Sequence, residues 1–283
     1  MRDEDQEQVR EIALNELHPF EGHPFQITDD AEMKTMTESV KQFGVLTPLI
    51  ARIDIDGGYE IISGHRRHYA AKLAGLETVP VIVREMSDDE AIIMMVDANL
   101  QRENILPSER AFAYRMKLEA IKHQGKNASS QIETKLRSDQ IVADEAGESR
   151  AQVQRYIRLT ELTPEILVMV DNGQIKFNPA VELSYLAKEE QRDFLSAMDY
   201  AQAPPSLSQA QRIKKLAQNG ECTLEAMCAI MNEMKKDEMD KVTLKASVLR
   251  QYFPSSYTNK QMEEKIIQLL EQWQKKREKS RER

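Results

Sequence analysis

Cysteine, glycine, proline and aromatic residues are all scarce in this chain. Its 283 residues include 2 cysteines, 10 glycines and 10 prolines, and 6% of them are aromatic. So few helix-breaking and aromatic residues favour a mainly helical protein. Cys222 and Cys228 match no zinc-ligand spacing, and we therefore interpret both as reduced thiols without a metal or redox role.

Long hydrophobic runs are also missing. The longest, such as AIIMMV at residues 91–96, are far shorter than the ~20 residues that cross a bilayer. The first residues, MRDEDQEQVRE, are acidic and contain no apolar segment of the kind that a secretory signal needs. These absences predict a cytoplasmic protein with no membrane partner.

Basic residues are outnumbered, with 39 lysines and arginines against 47 aspartates and glutamates and a formal net charge of −8. The total can mislead when charge is segregated along a chain. Residues 1–21 hold seven acids and two bases, whereas residues 274–283 hold six bases and two acids. A local basic face therefore remains a candidate nucleic-acid surface.

Residues 28–44 have the periodicity of an amphipathic helix. Thr28 is its predicted N-cap, and Gly44 follows its last apolar residue, where a C-terminal glycine is favoured. The β-rich segments VLTPLIARI and YEIIS come next, separated by the turn signal DIDGG. This arrangement predicts a β-hairpin directly after the first long helix.

The following segments are predicted to be helical. Ser87 with Glu90 forms the pattern of a capping box at the start of one helix. A long helix is predicted from Pro107 to Gly125. Residues 125–138, GKNASSQIETKLRS, are polar and are predicted to form a linker.

Residues 137–162, RSDQIVADEAGESRAQVQRYIRLTEL, carry the pattern of a helix-turn-helix. Gly147 supplies the turn, because glycine adopts left-handed backbone angles at little cost. Ser149 is the predicted cap of the second helix, with Gln152 completing a capping box, and Val153 falls on the buried face. The opposite face has no acid and is the predicted recognition surface for phosphates and base edges of DNA. Its candidate DNA-binding residues are Ser149, Arg150, Gln152, Gln154, Arg155 and Arg158. An ordinary helical hairpin with a solvated face is the alternative.

The stretch SGHRRHYAAKLAG, residues 63–75, places two arginines directly after a strand and a glycine. Backbone N–H groups at a helix N-terminus, together with the helix dipole, favour a bound anion there. Gly64 lets a phosphate approach the backbone closely, and Arg66 and Arg67 supply forked, charge-assisted contacts. The alternative is that both arginines are exposed, solubilising charges.

With the helix-turn-helix behind it in one chain, this turn resembles the ParB family of DNA-partition and segregation proteins. The resemblance runs from about Leu17 to Ala197 and rests on FGVLTPLIARIDIDGGYEIISGHRRHYAAKLAG, DANLQRENILPSERAFAY, the helix-turn-helix and LTPEILVMVDNGQIKFNPAVELSYL. It implies an α+β N-terminal nucleotide-binding domain, then an all-α helix-turn-helix domain and a helical C-terminal region. The boundaries we assign are an acidic N-terminal tail at 1–16, the nucleotide-binding domain at 17–124, the DNA-binding domain at 125–200 and the C-terminal region at 201–283.

The family uses CTP with Mg²⁺, and its glycine–x–arginine–arginine turn holds the phosphates. The resemblance places Asn99 and Arg102, in DANLQR, at the metal–triphosphate end, with Asn99 as metal ligand. GVLTP resembles the loop near the base and adds two weaker candidates. The implied nucleotide-binding residues are Gly44, Thr47, Gly64, His65, Arg66, Arg67, Asn99 and Arg102.

Three positions depart from the family pattern. Ala98 stands where the family has a glutamate that is tied to magnesium handling and hydrolysis, and His65 replaces another glutamate. Phe25 replaces an arginine of an early Gln-Pro-Arg element. Binding of CTP survives such changes more easily than turnover, so we expect weak or absent CTP hydrolysis and assign no catalytic residue. A histidine with a pKa near working pH could take over the role of the base.

The resemblance implies a homodimer on palindromic double-stranded DNA, in a bacterial, nucleoid-associated setting. The last helix carries an apolar stripe that includes Ile266, Leu270 and Trp273, which we expect to form part of the dimer contact. A ParA-type ATPase is the usual partner in the family. The N-terminus lacks the basic, glycine-rich peptide that often meets it, so that partnership stays open.

Two other functions compete with a CTP-gated partition clamp. A transcription regulator of the same fold, without nucleotide switching, is favoured somewhat by Ala98. An enzyme on the same N-terminal fold, such as a sulfiredoxin-like reductase or a nuclease, is the third. The reductase needs a cysteine in the phosphate turn, where His65 stands, and a nuclease needs clustered acids that the turn lacks.

Overall fold

A computed structural model describes residues 8–102, 104–125, 131–233, 246–254 and 256–281 of the chain. Its compact units are Met1–Asn232 and Glu233–Arg283. The first unit begins with a five-stranded sheet in the order β1-β5-β3-β4-β2. The strands are β1 (Val9–Ala13), β2 (Leu17–Pro19), β3 (Leu49–Ile53), β4 (Tyr59–Ser63) and β5 (Thr78–Val83).

The central strands β3 and β4 pair antiparallel, which confirms the predicted hairpin. Its turn is closed by a hydrogen bond from the Asp54 N–H to the Gly58 carbonyl oxygen, 3.1 Å apart. Strand β1 pairs antiparallel with β5 and lies within residues 1–16, which the sequence assigns to a tail. The folded part of this lobe therefore begins before residue 17, because β1 pairs with the edge of β5 that β3 does not occupy. Residues 1–7 lie outside the described part of the chain.

Four helices cover the sheet: α1 (Ala31–Phe43), α2 (His65–Ala74), α3 (Asp88–Leu100) and α4 (Pro107–Gly125). Apolar residues of α1 and α2, such as Met33 and Ala70, pack in one cluster with sheet residues such as Val81. Residues of α3 and α4, such as Met95 and Ala113, pack in another cluster with Ile62 of β4. Because β-strand side chains alternate between faces, the sheet can contribute to both clusters.

Side chains cap the N-termini of both α1 and α3. Asp30, not Thr28, is the N-cap of α1: its Oδ1 accepts a hydrogen bond from the Met33 N–H at 2.8 Å. The Thr28 hydroxyl donates instead to Asp30 Oδ2 at 2.9 Å. Thr28 therefore supports the cap without forming it. The capping box of Ser87 and Glu90 at the start of α3 is confirmed.

Beyond α4 the first unit is helical. Its remaining helices are α5 (Gln131–Ala146), α6 (Arg150–Arg158), α7 (Pro164–Asp171), α8 (Phe177–Leu183), α9 (Lys188–Ala201), α10 (Leu207–Asn219) and α11 (Leu224–Met231). The predicted linker over 125–138 is wrong for its second half, because α5 already begins at Gln131. Residues 131–146 contain no glycine or proline, so no helix-breaking residue prevents α5 from beginning at Gln131.

Helix α4 is shared among three clusters of buried side chains. Ala113 packs with α3 and the sheet. Tyr114 and Leu118 pack with Val142 of α5 and its neighbours in the helix-turn-helix. Ala111 belongs to the large cluster formed by the later helices. One helix therefore ties the sheet lobe to the helical lobe.

The second unit contains α12 (Ala246–Leu249) and α13 (Asn259–Arg281). On α13, Met262 is buried, whereas Leu269, Leu270 and Trp273 are each more than half exposed. Among the described residues, no helix combines the length and apolar character needed to cross a bilayer. The predicted fold class, an α+β lobe followed by a helix-turn-helix lobe and further helices, is confirmed.

Candidate functional site

The turn between β4 and α2 requires a glycine. Gly64, the N-cap of α2, has φ of 103°, a left-handed angle that other residues adopt only under strain. A Cβ atom there would lie 2.9 Å from Leu49 Cγ and 3.2 Å from Arg67 Nη2. The first N–H groups of α2 have no acceptor within the helix, as at any helix start. The turn therefore presents donors and the positive end of a helix dipole, as the sequence predicted.

Two neighbouring cavities flank this turn. The first, about 490 Å³, is lined by Glu32, Thr35, Met36, Ser39, Val40, Gly44, Val45, Leu46, Thr47 and Arg67. The second, about 500 Å³, is lined by Gln26, Thr28, Asp30, Glu32, Arg66, Arg102, Asn104, Leu106 and Glu109. The structure thus brings Gly44, Thr47 and Arg67 together in a mainly apolar cavity. It brings Arg66 and Arg102 together in a polar cavity that the carboxylates of Asp30, Glu32 and Glu109 also line.

Arg67 holds the wall of the first cavity in place. Its Nη1 donates to the backbone carbonyls of Thr47 at 2.6 Å and Pro48 at 2.7 Å. Burial lowers the pKa of its guanidinium. Much of its hydrogen-bonding capacity is therefore committed to the loop after α1, which makes Arg67 an organiser of the cavity as well as a candidate ligand contact.

Arg66 faces two carboxylates. Its Nη2 lies 3.2 Å from Glu32 Oε2 and 3.5 Å from Asp30 Oδ1. Its Nε is buried and has no hydrogen-bond partner among the described residues. Asp30 is engaged as the cap of α1, whereas the Glu32 side chain is 75% exposed and forms an ion pair with Arg66. Glu32 is therefore the carboxylate that an incoming anion would displace.

Arg102 is the second arginine of this cavity. Its guanidinium lies 5.7 Å from the centre of the Phe25 ring. Burial lowers its pKa, the charge of Arg66 adds to that effect, and Glu109 opposes it. Glu109 itself is buried and accepts hydrogen bonds from the Gln26 N–H at 2.7 Å and the Leu106 N–H at 3.0 Å. Arg102 thus sits close enough to Arg66 for the two charges to repel, a cost that a shared anion would relieve.

His65 is not placed as the sequence suggested. Its side chain is 4% exposed, lines neither cavity and packs on His23 with 3.9 Å between ring centres. Burial, then His23, His68 and Arg102, lowers the pKa of His65 from 6.5 to about 3. The expectation of a base titrating near neutral pH is wrong, because this imidazole is held neutral inside the lobe. Only the backbone of His65 stays at the turn between β4 and α2.

Asn99 is also buried. It lies in the last turn of α3, and its Nδ2 donates to the Met95 carbonyl oxygen at 2.7 Å. It lines neither of the two cavities. No group of three or more histidine, cysteine, aspartate or glutamate side chains suited to a metal occurs in the described part of the chain. The role of Asn99 as a metal ligand stays a prediction.

The helix-turn-helix forms from α5, the turn at Gly147 and α6. Gly147 has φ of 65°, and the Ser149 hydroxyl accepts a hydrogen bond from the Gln152 N–H at 3.2 Å. The predicted capping box is formed on this side only: Gln152 Oε1 instead faces Arg155 Nη1 at 3.5 Å. Val153 is fully buried against α4 and α5. The start of α6 therefore stands in a fixed orientation on the helices behind it.

The arginines of α6 fall into two groups. Arg150 is exposed at the start of the helix, and Arg155 Nη2 donates to Asn178 Oδ1 at 2.5 Å while its guanidinium covers Phe177. Arg158 is different: its Nη2 donates to the Ser184 carbonyl oxygen at 2.7 Å, and its guanidinium lies 4.2 Å from the Tyr185 ring centre. The protein contacts of Arg158 indicate a packing role for a residue that the sequence placed on the DNA face.

Two polar residues at this site were missed from the sequence. Asn178, exposed at the start of α8, holds Arg155. Asp139 of α5 is 5% exposed, and its Oδ2 accepts a hydrogen bond from Gln154 Nε2 at 2.8 Å. Neither has a local signal: Asn178 is 23 residues from Arg155, and Asp139 is 15 residues from Gln154. The acid-free face of α6 therefore has an acid behind it on the neighbouring helix.

Two family models match the chain: the ParB N-terminal domain over residues 1–100 and the ParB HTH domain over residues 103–202. Stage 0 sporulation protein J of Bacillus subtilis (strain 168) is 32% identical over 263 residues, which cover 92% of this chain and 84% of that protein. The chromosome-partitioning protein Spo0J of Thermus thermophilus is 32% identical over 182 residues, covering 64% of this chain and 62% of that protein.

Solved structures of similar proteins include C-terminally truncated ParB of Caulobacter crescentus complexed to the centromeric parS site. It has 22% identity and a TM-score of 0.43, and the match covers 80% of this chain and 100% of that one. The same protein complexed with CTP-gamma-S has 27% identity and a TM-score of 0.32, with coverage of 64% and 93%.

Proposed function

Because this chain belongs to the ParB family of chromosome-partitioning proteins, we propose that it acts as a CTP-gated dimeric clamp on a palindromic, centromere-like DNA site. One observation carries the nucleotide part: an apolar cavity and a cavity with two arginines adjoin the same helix N-terminus. A nucleotide has an apolar face at one end and a polyanion at the other. The apolar cavity suits the base, and the two arginines suit the phosphates, although Asp30, Glu32 and Glu109 line the same cavity.

In this proposal the triphosphate lies against Arg66, Arg102 and the first N–H groups of α2. Charge-assisted bonds from guanidinium groups and helix-start N–H groups are the usual protein contacts of phosphates. The base lies in the apolar cavity beside Gly44 and Thr47, whose loop Arg67 holds in place. The family's nucleotide is CTP, and the two adjoining cavities of about 490 and 500 Å³ support this assignment.

Mg²⁺ is proposed to arrive with the nucleotide. It usually keeps several waters and binds through one or two protein oxygens plus substrate phosphates. Asn99 is buried, and the exposed carboxylates of Asp30 and Glu32 face Arg66. These residues do not form a metal site by themselves, so the triphosphate oxygens supply most of the ligands. Asn99 is the family-matched residue for this end.

Turnover is proposed to be slow. Ala98 offers no carboxylate, and the buried His65, whose pKa is lowered to about 3, lines neither cavity. General-base catalysis needs a group within hydrogen-bond reach of the attacking water. The chain therefore binds CTP as a switch ligand, and no residue is assigned as catalytic.

The DNA part of the proposal rests on α6, with Arg150, Gln154 and Arg155 toward the major groove. One helix-turn-helix reads a half-site, so a two-fold dimer on a palindrome is the economical arrangement. The exposed apolar residues of α13 suit a contact between two copies. A ParA-type ATPase partner stays a prediction from the family resemblance alone.

Calorimetry on the full chain with CTP, ATP, GTP and UTP tests the switch. We expect CTP to bind in preference, and Arg66→Ala to abolish that binding while leaving initial DNA binding intact. Lys34→Ala on α1, exposed and outside both cavities, is the control. If no nucleotide binds the natural protein, the clamp proposal is overturned and the function is that of a DNA-binding regulator without nucleotide switching.

A further inference from the structure

We infer that Asp139 is a positioning residue for DNA recognition, and that it orients Gln154 to recognise adenine in the major groove. The inference rests on the proposed binding of DNA by α6. Asp139 lies on α5, one helix behind the recognition helix, and would touch no base itself. Asp139 would act by limiting which hydrogen-bonding groups Gln154 presents to a base.

The contact is short and sheltered. Gln154 Nε2 donates to Asp139 Oδ2 over 2.8 Å, and the Asp139 residue is 5% exposed. Gln154 itself is exposed, so its amide is anchored at the protein surface. Burial keeps water from competing for the carboxylate, which makes this anchor more persistent than a hydrogen bond between two exposed side chains.

An ionised carboxylate fixes the amide in one direction. A carboxylate only accepts hydrogen bonds, and a glutamine amide has one donor end and one acceptor end. The NH₂ group must therefore face Asp139, and the amide cannot turn over without opposing two acceptors. One N–H is used by Asp139. The second N–H and Oε1 of this exposed side chain remain for another partner.

That remaining pair matches one base edge. Adenine presents N7 as acceptor beside its N6 amino donors in the major groove, and glutamine binds this pair with two hydrogen bonds. A glutamine free to turn over could instead offer its groups in the reverse order to other edges. Asp139 thus converts an adaptable side chain into one with a preference for adenine.

The carboxylate of Asp139 also faces Arg150. Arg150 Nε lies 4.0 Å from Asp139 Oδ2, and the Arg150 side chain is 45% exposed. The pair is an ion pair without a hydrogen bond, and the partly exposed Arg150 guanidinium is left for a partner outside the protein. Asp139 Oδ1 is buried and has no hydrogen-bond partner among the described residues. Such an unpaired buried oxygen is costly for the fold alone and calls for a functional explanation.

The test is selection of DNA from a randomised duplex library by the full chain without nucleotide. We expect the natural protein to enrich an adenine at one position in each half-site. Asp139→Asn keeps the shape of the side chain but lets the amide turn over, and should reduce discrimination at that position at least about tenfold. Discrimination elsewhere in the site should change less. Gln154→Ala should lose the same preference at the same position.

Asp144→Asn is the matched control, because Asp144 is an exposed carboxylate on the same helix that pairs with Gln140. It removes the same charge and should leave the enriched sequence unchanged. Thermal unfolding of each variant separates specificity from stability. If Asp139→Asn lowers the melting temperature but selects the same sequence with equal discrimination, Asp139 only ties α5 to α6 and the inference is overturned. If Asp139→Asn does not fold, Gln154→Ala decides alone: a preserved adenine overturns the inference. Failure of the natural protein to enrich any sequence would instead overturn the proposed function, and the inference with it.

Discussion

The ammonium group of Lys117 lies 2.5 Å from Glu145 Oε2, although Lys117 is only 1% exposed. The same ammonium contacts the carboxylate of Asp97. Lys117 is on α4, Asp97 is on α3 two residues before Asn99, and Glu145 is near the end of α5. One buried cation therefore joins the helix that carries Asn99 to the first helix of the helix-turn-helix.

Glu145→Gln is expected to lower the free energy of unfolding by about 1–3 kcal/mol, because the buried ammonium loses one of its charged partners. Urea unfolding followed by circular dichroism measures the change. Glu119→Gln breaks an exposed i,i+4 pair with Arg115 and should cost less than about 0.5 kcal/mol. Equal effects of the two substitutions would show that the Lys117 contact contributes no more than a surface pair.

Glu32→Gln is expected to strengthen CTP binding, by up to about fivefold at low salt, because it frees Arg66 from a competing carboxylate. The gain should shrink as salt is added, since exposed charges are screened. Calorimetry checks both points. Glu38→Gln on the same helix is exposed, lines neither cavity and should leave affinity unchanged. Weaker CTP binding by Glu32→Gln would show that Glu32 contacts the nucleotide directly.

The sheet lobe is expected to lose stability in mild acid. Burial lowers the pKa of His23, His65 and His68 in the folded protein, that of His65 to about 3. As pH falls below about 6.5, the unfolded chain takes up protons that the folded protein does not, so stability is highest above that pH and falls below it. For His65 alone the loss between pH 7.5 and pH 5 is about 2 kcal/mol.

Urea unfolding at pH 7.5 and pH 5 measures this loss, and His65→Gln should reduce it. His123→Gln removes an imidazole whose side chain is 60% exposed and should retain the natural pH dependence. An unchanged loss in His65→Gln would assign the acid sensitivity to other groups.

Arg150→Ala is expected to weaken binding to the cognate DNA site by about 1–3 kcal/mol through loss of base contacts. Arg158→Ala should instead lower thermal stability, because its guanidinium packs on Tyr185 and bonds to Ser184. Fluorescence anisotropy and thermal unfolding, applied to both variants, distinguish the two roles. A larger loss of DNA affinity in Arg158→Ala, without loss of stability, would return Arg158 to the DNA face.

Ala98→Glu is expected to raise the rate of phosphate release from CTP, by about a hundredfold if the new carboxylate acts as a general base. Position 98 is exposed on α3, so the fold should tolerate the longer side chain. The assay compares both proteins with CTP, Mg²⁺ and cognate DNA. Brisk release by the natural protein would contradict the slow turnover proposed here.

Features that depend on interactions between residues close in sequence were predictable from the sequence. Gly147 stands at a left-handed turn, and Ser149 caps α6, because each depends on its nearest neighbours. The hairpin between β3 and β4 was predictable for the same reason. Arg66 and Arg102 were named through family motifs, and the structure brings both into one cavity.

Long-range packing hid the rest. The sequence does not show which side of α2 packs on the sheet. The burial of the His65 side chain, at the first position of α2, was therefore not predicted. The contact between Asp139 and Gln154 depends on the angle between two helices. Lys117 appears in the sequence as one more charged residue on a long helix, and only the meeting of α3, α4 and α5 makes it buried.

The shared packing of α4 limits how such a chain can be recombined. Ala111, Ala113 and Tyr114 are near neighbours in sequence, yet each belongs to a different cluster of buried side chains. If two relatives recombined at a point within α4, at least one cluster would combine α4 residues from one parent with neighbouring residues from the other. Inherited breakpoints should therefore avoid residues 107–125, and a transplanted sheet lobe should function only with an α4 whose every face suits its new neighbours.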